Sequence, residues 1–161
     1  MIKSLTVFLL IFFAGFLSAC SSEPQEAEFS FELVYAPDAE SSQKMWPDIN
    51  LRNSFVTYWD ARFIPDLNRT WEIEAPHLRF MGSKDIYIDF FSRGAGQILK
   101  EIVISRVDKV HENMYKVECE LKLIRLGRER NLHLIDSWIR VGGHWYHLER
   151  NPLVFSFMGL S

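Results

Sequence analysis

The apolar residues of this chain fall into three successive patterns. Leu5 to Leu17 is almost wholly apolar, with no charge between Lys3 and Glu23. From Asn50 to Phe91 the apolar positions recur at helical spacing. From Lys100 to Arg150 they alternate with polar ones, as in strands with one solvated face. A short alternating stretch precedes the helical region: Phe29, Phe31, Leu33 and Tyr35 against Ser30, Glu32 and Val34. It predicts a strand.

In the helical region Phe55, Trp59 and Phe63 lie at i, i+4 and i+8, with Leu51 and Val56 beside them. This predicts an amphipathic helix, with Asn50 as its N-cap. Asp66 can cap a second helix carrying Leu67 and Trp71 on its apolar side, and Pro76 should end it. Ser83 can cap a third, with Ile86 over Phe90 and Tyr87 over Phe91. Beyond Ser92-Arg93-Gly94-Ala95-Gly96 the strands begin. Residues 100–110 form one strand, turned by His111-Glu112-Asn113. In the next, Tyr115, Val117, Cys119, Leu121 and Leu123 point inward against Lys116, Glu118, Glu120 and Lys122. Gly127 to Arg130 should turn it. Asn131 to Val141 and His144 to Arg150 close a hairpin, and Pro152 keeps the final residues out of any central strand. Helices followed by antiparallel strands predict an α+β domain, with the helices packed on one face of a curved antiparallel sheet.

The hairpin carries the densest chemistry. Gly142-Gly143 suits a two-residue turn, because both positions need positive φ. Val141 then faces His144, Ile139 pairs with Tyr146, and Trp138 pairs with His147. Ile135 and Ile139 look like the core side. Asp136, Trp138, Arg140, His147 and Glu149 share the other side. Two readings are open. An imidazole beside a carboxylate, walled by indoles, could do acid–base work; His147 and Asp136 are then the catalytic candidates. Alternatively that side is the wet face of an ordinary hairpin. A loop one residue longer would exchange the faces.

The first twenty residues have a charged start, an apolar run and small residues before a cut, the pattern of a secretory signal. The run is shorter than the roughly 20 residues needed to span a bilayer. Leu17-Ser18-Ala19-Cys20 resembles the lipobox of bacterial lipoproteins, which implies cleavage before Cys20 and acylation of that residue. Several acyl chains give stable anchoring. Ser21 at the next position implies outer-membrane sorting, facing the periplasm, in a Gram-negative cell. The expected organisation is a signal peptide over 1–19, a lipidated Cys and flexible acidic tether over 20–28, and one α+β domain over 29–161.

Formal charge is −3 at neutral pH, so nothing points to nucleic acid. Nearly half the residues are hydrophobic, with 13 Phe and 5 Trp, as in a globular chain. Of the two cysteines, Cys119 lies on the apolar side of its strand between two glutamates and predicts a buried, inert thiol. No Cys or His spacing resembles a metal site, and no cofactor motif occurs. His77, His111 and His133 look like solvated loop or strand residues. The apolar tail from Leu153 to Met158 is expected to dock along a sheet edge, beside Phe29 to Tyr35, or to serve a partner.

Helices first, then long strands ending in Asp-x-Trp, a Gly turn and Gly-x-Trp-Tyr, resemble the nuclear transport factor 2-like superfamily. The run from Tyr58 to Tyr87 is also similar to that superfamily's helical half. The resemblance implies a cone of helices on a curved sheet, as in ketosteroid isomerases and polyketide cyclases. It makes Tyr58, Trp59 and Trp138 candidates for lining a pocket. Tyr58 and Asp60 lie two apart, so they do not share a helix face. Since that superfamily hosts enzymes and binders alike, two functions stand as expectations. One is a non-catalytic binding or assembly module for another envelope protein or a small apolar ligand. The other is a small isomerase or cyclase using His147 and Asp136.

Overall fold

The computed structural model describes residues 30–37, 45–64, 66–93, 96–149, 155–156 and 158. Four helices and five strands run in the order β1 (Glu32–Tyr35), α1 (Ile49–Phe63), α2 (Leu67–Ile73), α3 (Pro76–Met81), α4 (Lys84–Ser92), β2 (Ile98–His111), β3 (Met114–Arg125), β4 (Arg128–Val141) and β5 (His144–His147). The strands form one sheet in sequence order. β1 runs parallel to β2 and the other pairs are antiparallel. A parallel pair needs a long crossover, and the helical segment between β1 and β2 supplies it. The class is thus α+β with a mixed five-stranded sheet, where a purely antiparallel one was expected.

The long strands carry the alternation into the packing. Ile102, Ile104, Val117, Cys119, Leu121 and Leu123 are buried against Leu51, Phe55, Val56 and Trp59 of α1. The opposite face is polar, with Lys122 on Glu101 (2.8 Å), Arg106 on Glu118 (2.9 Å) and His133 on Glu118 (3.2 Å). β2 slips register at three places along β3. Each extra residue bends the strand and raises its twist, which curves the sheet around α1.

Several local expectations shift. α1 is capped by Asp48 instead of Asn50: the Asp48 carboxylate accepts from the Asn50 N–H at 2.8 Å. Its other oxygen accepts from Trp145 Nε1 at 2.8 Å. That bond, foremost, holds the Asp48 carboxyl below the usual range, and the cap also fastens α1 to β5. Asp66 caps α2 as expected. Pro76 does not merely end α2 but opens α3 at its first helical position, where a missing N–H costs nothing. His77 is therefore helical, though exposed. β3 and β4 are joined through Leu126 and Gly127, at φ 52° and 71°; of the residues expected to turn, Gly127 does, and Arg128 to Arg130 already belong to β4. The described residues of the tail dock on the helices instead of the sheet edge: Met158 is buried with Trp71, Leu78 and Tyr87, and Phe155 packs beside them. A Cβ at Gly82 would collide with Met158. Residues 1–29 lie outside the described residues, and with them the expected signal, tether and Cys20. Among the described residues no helix is long and apolar enough to cross a membrane.

Candidate functional site

The β4–β5 hairpin has the expected register: Trp138 opposite His147, Ile139 opposite Tyr146, Arg140 opposite Trp145 and Val141 opposite His144. Gly142 and Gly143 turn it at φ 58° and 87°. Its faces are the reverse of their polarity. Ile135 is 58% exposed, whereas Asp136, Trp138 and His147 are buried. The reason is a partner far away in sequence. Glu74, the C-cap of α2 and fully buried, lies against His147 and turns the polar side of the hairpin into core.

His147 sits between two carboxylates. Its Nδ1 lies 2.9 Å from Glu74 Oε2 and its Nε2 lies 2.7 Å from Asp136 Oδ1. An imidazolium can donate from both ring nitrogens, one to each carboxylate. Burial alone would lower its pKa, but the charges and hydrogen bonds of Glu74 and Asp136 raise it well above the ordinary histidine value. The second oxygens are occupied too. Glu74 Oε1 accepts from the hydroxyls of Tyr58 (3.0 Å) and Tyr87 (2.7 Å). Asp136 Oδ2 accepts from the indoles of Trp59 (3.1 Å) and Trp138 (3.1 Å). Burial, then the charge of Glu74, pushes both tyrosine hydroxyls far up, so they remain donors. The Tyr58 ring stacks on the imidazolium with centroids 4.1 Å apart, a favourable place for a cation.

All five residues singled out in the sequence, Tyr58, Trp59, Asp136, Trp138 and His147, thus meet in one cluster. Glu74 and Tyr87, which complete it, were not foreseen. Their only signal is position: Glu74 ends a helix two residues before a proline, and Tyr87 comes four residues after a serine cap. Asp60 stays apart and accepts from Ser30, two residues before β1. His133 is exposed. Cys119 is buried and free, its thiol pushed up by burial.

A general base needs a lone pair facing a substrate proton. Here each nitrogen of His147 and each oxygen of Glu74 and Asp136 already has a partner. Glu74, His147 and Glu149 offer atoms within 4.8 Å of one another, but a metal ligand must be a neutral imidazole, the opposite of the charge state this network imposes. The arrangement binds α1, α2, α4, β4 and β5 together.

Beside the network the fold is open. A cleft of about 600 Å³ runs between α1, α4 and the sheet. Trp59, Phe63, Leu67, Phe90, Phe91, Leu121, Leu123 and Leu132 supply its apolar lining. Arg62 is part of its wall and also of a smaller cleft, about 350 Å³, that reaches Asp136 and His147. The Arg62 guanidinium stacks on Phe91, 3.4 Å from the ring centroid. Its Nη1 is buried without a hydrogen-bond partner.

No family model matches the chain, and no curated protein matches it. Similar solved structures include a SEC-C motif containing protein from Rhodopseudomonas palustris, at 18% identity and a TM-score of 0.49, covering 60% of this chain and 73% of that one. They also include a SEC-C motif containing protein from Psychrobacter arcticus, at 9% identity and a TM-score of 0.51, covering 62% of this chain and 59% of that one. At such identity the second likeness speaks of fold alone.

The second neighbour corrects the resemblance to the nuclear transport factor 2-like superfamily: that structure is described as a SEC-C motif containing protein. That resemblance rested on helices preceding long strands and on Asp-x-Trp and Gly-x-Trp-Tyr. Any helical layer on a curved sheet can supply the order, and here Asp136, Trp138 and Trp145 serve internal contacts instead of lining a hollow mouth. The lipoprotein resemblance finds no support in the neighbours either, and its residues lie outside those described.

Proposed function

We propose that this domain is a non-catalytic binding module for a small apolar molecule, held in the cleft between α1, α4 and the sheet. The observation that carries this is the occupied state of His147. The polar cluster that looked catalytic has no atom free to act, while the open space beside it is lined mainly by aromatic and aliphatic side chains. Ligand sites are typically concave and mostly apolar, with a few polar groups fixing orientation. The cleft has that composition. Attachment to a bacterial envelope membrane through Cys20, with the domain facing the periplasm, belongs to the same proposal. It rests on Leu17-Ser18-Ala19-Cys20 and is tested by whether Cys20→Ser releases the protein from detergent-phase partitioning.

A neutral naphthylamine fluorophore tests the cleft. Its emission should rise saturably on mixing with the protein, with energy transfer from tryptophan, because Trp59 lines the cleft. Leu132 is half exposed at the cleft wall; Leu132→Trp should fill the space and weaken binding. A fluorophore that does not bind, or that ignores Leu132→Trp, would contradict the proposal.

A further inference from the structure

At the β3–β4 turn the apolar cleft opens into a second recess of about 610 Å³, and Gln97, Leu123, Arg125 and Leu132 line both. Arg128 and Arg130 stand with Arg125 around this second recess. The strand register explains how three arginines come to share it. Arg125 lies directly opposite Arg128, and Arg130 lies opposite Leu123, which is buried on the side of α1. Side chains alternate along a strand, so all three arginines fall on the face of Leu121 and Leu123. Glu129, the acidic residue among them, lies opposite Ile124 on the other face, where its charge acts on Lys122. Among the described residues no acidic side chain lines either recess, and none of the three arginines has an ion pair. Like charges directly opposite each other weaken a strand pair, and nothing in this hairpin offsets the repulsion. A concave site lined by one sign of charge gathers ions of the other sign.

We propose that the two recesses form one site for a phosphate monoester of a hydrocarbon alcohol. Its phosphate lies among Arg125, Arg128 and Arg130, and its hydrocarbon runs inward past Leu123 and Leu132 toward Phe63. The division of the site gives the division of the ligand: three guanidiniums at the mouth, aliphatic and aromatic walls behind them. A guanidinium fork matches the geometry of phosphate oxygens and bonds them in pairs. A phosphate monoester carries nearly two charges at neutral pH and three terminal acceptor oxygens, so it offsets more of the repulsion among three arginines than a singly charged head does. A flat bilayer surface would meet the arginines and leave the apolar space behind them empty; one molecule fills both. The inference rests on the proposed function above and names its ligand class.

Decyl phosphate, decyl sulfate, decan-1-ol and inorganic phosphate, each below its aggregation limit, test this by calorimetric titration of the full chain at mildly alkaline pH. Decyl phosphate should bind about tenfold or more tightly than decan-1-ol, the difference a charge-assisted hydrogen bond makes. It should also bind more tightly than the singly charged sulfate and than inorganic phosphate, which has no apolar body. Arg128 and Arg130 are exposed, so Arg128→Gln with Arg130→Gln keeps the fold; the pair should close most of the gap and leave decan-1-ol binding unchanged. If decyl phosphate and decan-1-ol bind wild-type protein alike, or the double variant keeps the gap, the arginines do not hold the head; the inference falls and the apolar cleft stands. Inorganic phosphate binding as tightly as decyl phosphate would separate the arginines from the cleft and overturn the joined site. Decyl sulfate matching decyl phosphate would overturn the doubly charged head. If no decyl compound binds, the reading of the cleft falls as well.

Discussion

The two ends of the space between α1 and the sheet are built on opposite plans. Toward β5, six hydrogen bonds join Glu74, His147, Asp136, two tyrosines and two tryptophans into one network, with each carboxylate oxygen accepting at least one. Toward the start of β2, apolar walls stand apart around an open cleft, and a buried arginine nitrogen has no partner. Titratable side chains in a protein interior invite a catalytic reading. The contrast shows why that reading must wait for a count of partners. A saturated network rigidifies and specifies a core, and in the proposed reading it is the open cleft that receives a ligand.

The sharpest way to break this contrast is to remove one carboxylate. Glu74→Ala leaves two buried hydroxyls without an acceptor and an imidazolium with half its counter-charge. Breaking a buried ion pair costs about 3–5 kcal/mol, and urea unfolding should show a loss of that order. A loss no larger than that of a surface substitution would mean that the network is not what fastens the helices to the hairpin. Asp136→Asn is milder, since the shape is kept and the indoles retain an oxygen to meet. Its expected cost is about 1.5–3 kcal/mol, the range of hydrogen bonds to charged groups.

The pH dependence comes from His147 with a definite sign. Its folded pKa is raised above the unfolded value of about 6.5. The stabilisation is therefore fully present below about pH 6.5 and is lost as pH rises toward the folded pKa. Thermal melting should fall steadily on the alkaline side of neutrality, and the slope should flatten in Asp136→Asn. The smallest effect belongs to the other histidine that faces a carboxylate. His133 meets Glu118 at 3.2 Å with more than half its side chain exposed. His133→Ala should change stability by less than about 1 kcal/mol, because exposed pairs are screened and entropically costly. The two substitutions Glu74→Ala and His133→Ala thus place the same chemical pair in two settings.

How much of this was legible in the sequence differs from element to element. Helix α1 was legible because Leu51, Phe55 and Trp59 are buried at regular spacing. The alternation of β3 survives intact, with Val117, Cys119, Leu121 and Leu123 buried. The hairpin register came from Gly142-Gly143, since the turn length fixes the pairing. Which hairpin face is core did not. Ile135 and Ile139 outweigh Asp136 and His147 on any scale of hydrophobicity. Only Glu74, 73 residues from His147, makes it possible to bury those charges. α3 was missed because a proline reads as a stop when it can equally start a helix. The parallel placement of β1 depends on where the crossover lands, which no local pattern records.

The central claim is that His147 is an imidazolium held between two carboxylates, with neither nitrogen free. Nitrogen-detected NMR of the His147 ring, followed from mildly acid to mildly alkaline pH, tests it most directly. The account predicts that both ring nitrogens carry a proton at neutral pH and that their signals stay in place across the titration range of a free histidine. A midpoint near about 6.5, or one nitrogen unprotonated at neutral pH, would contradict it and make the His147–Asp136 pair a working acid–base couple again.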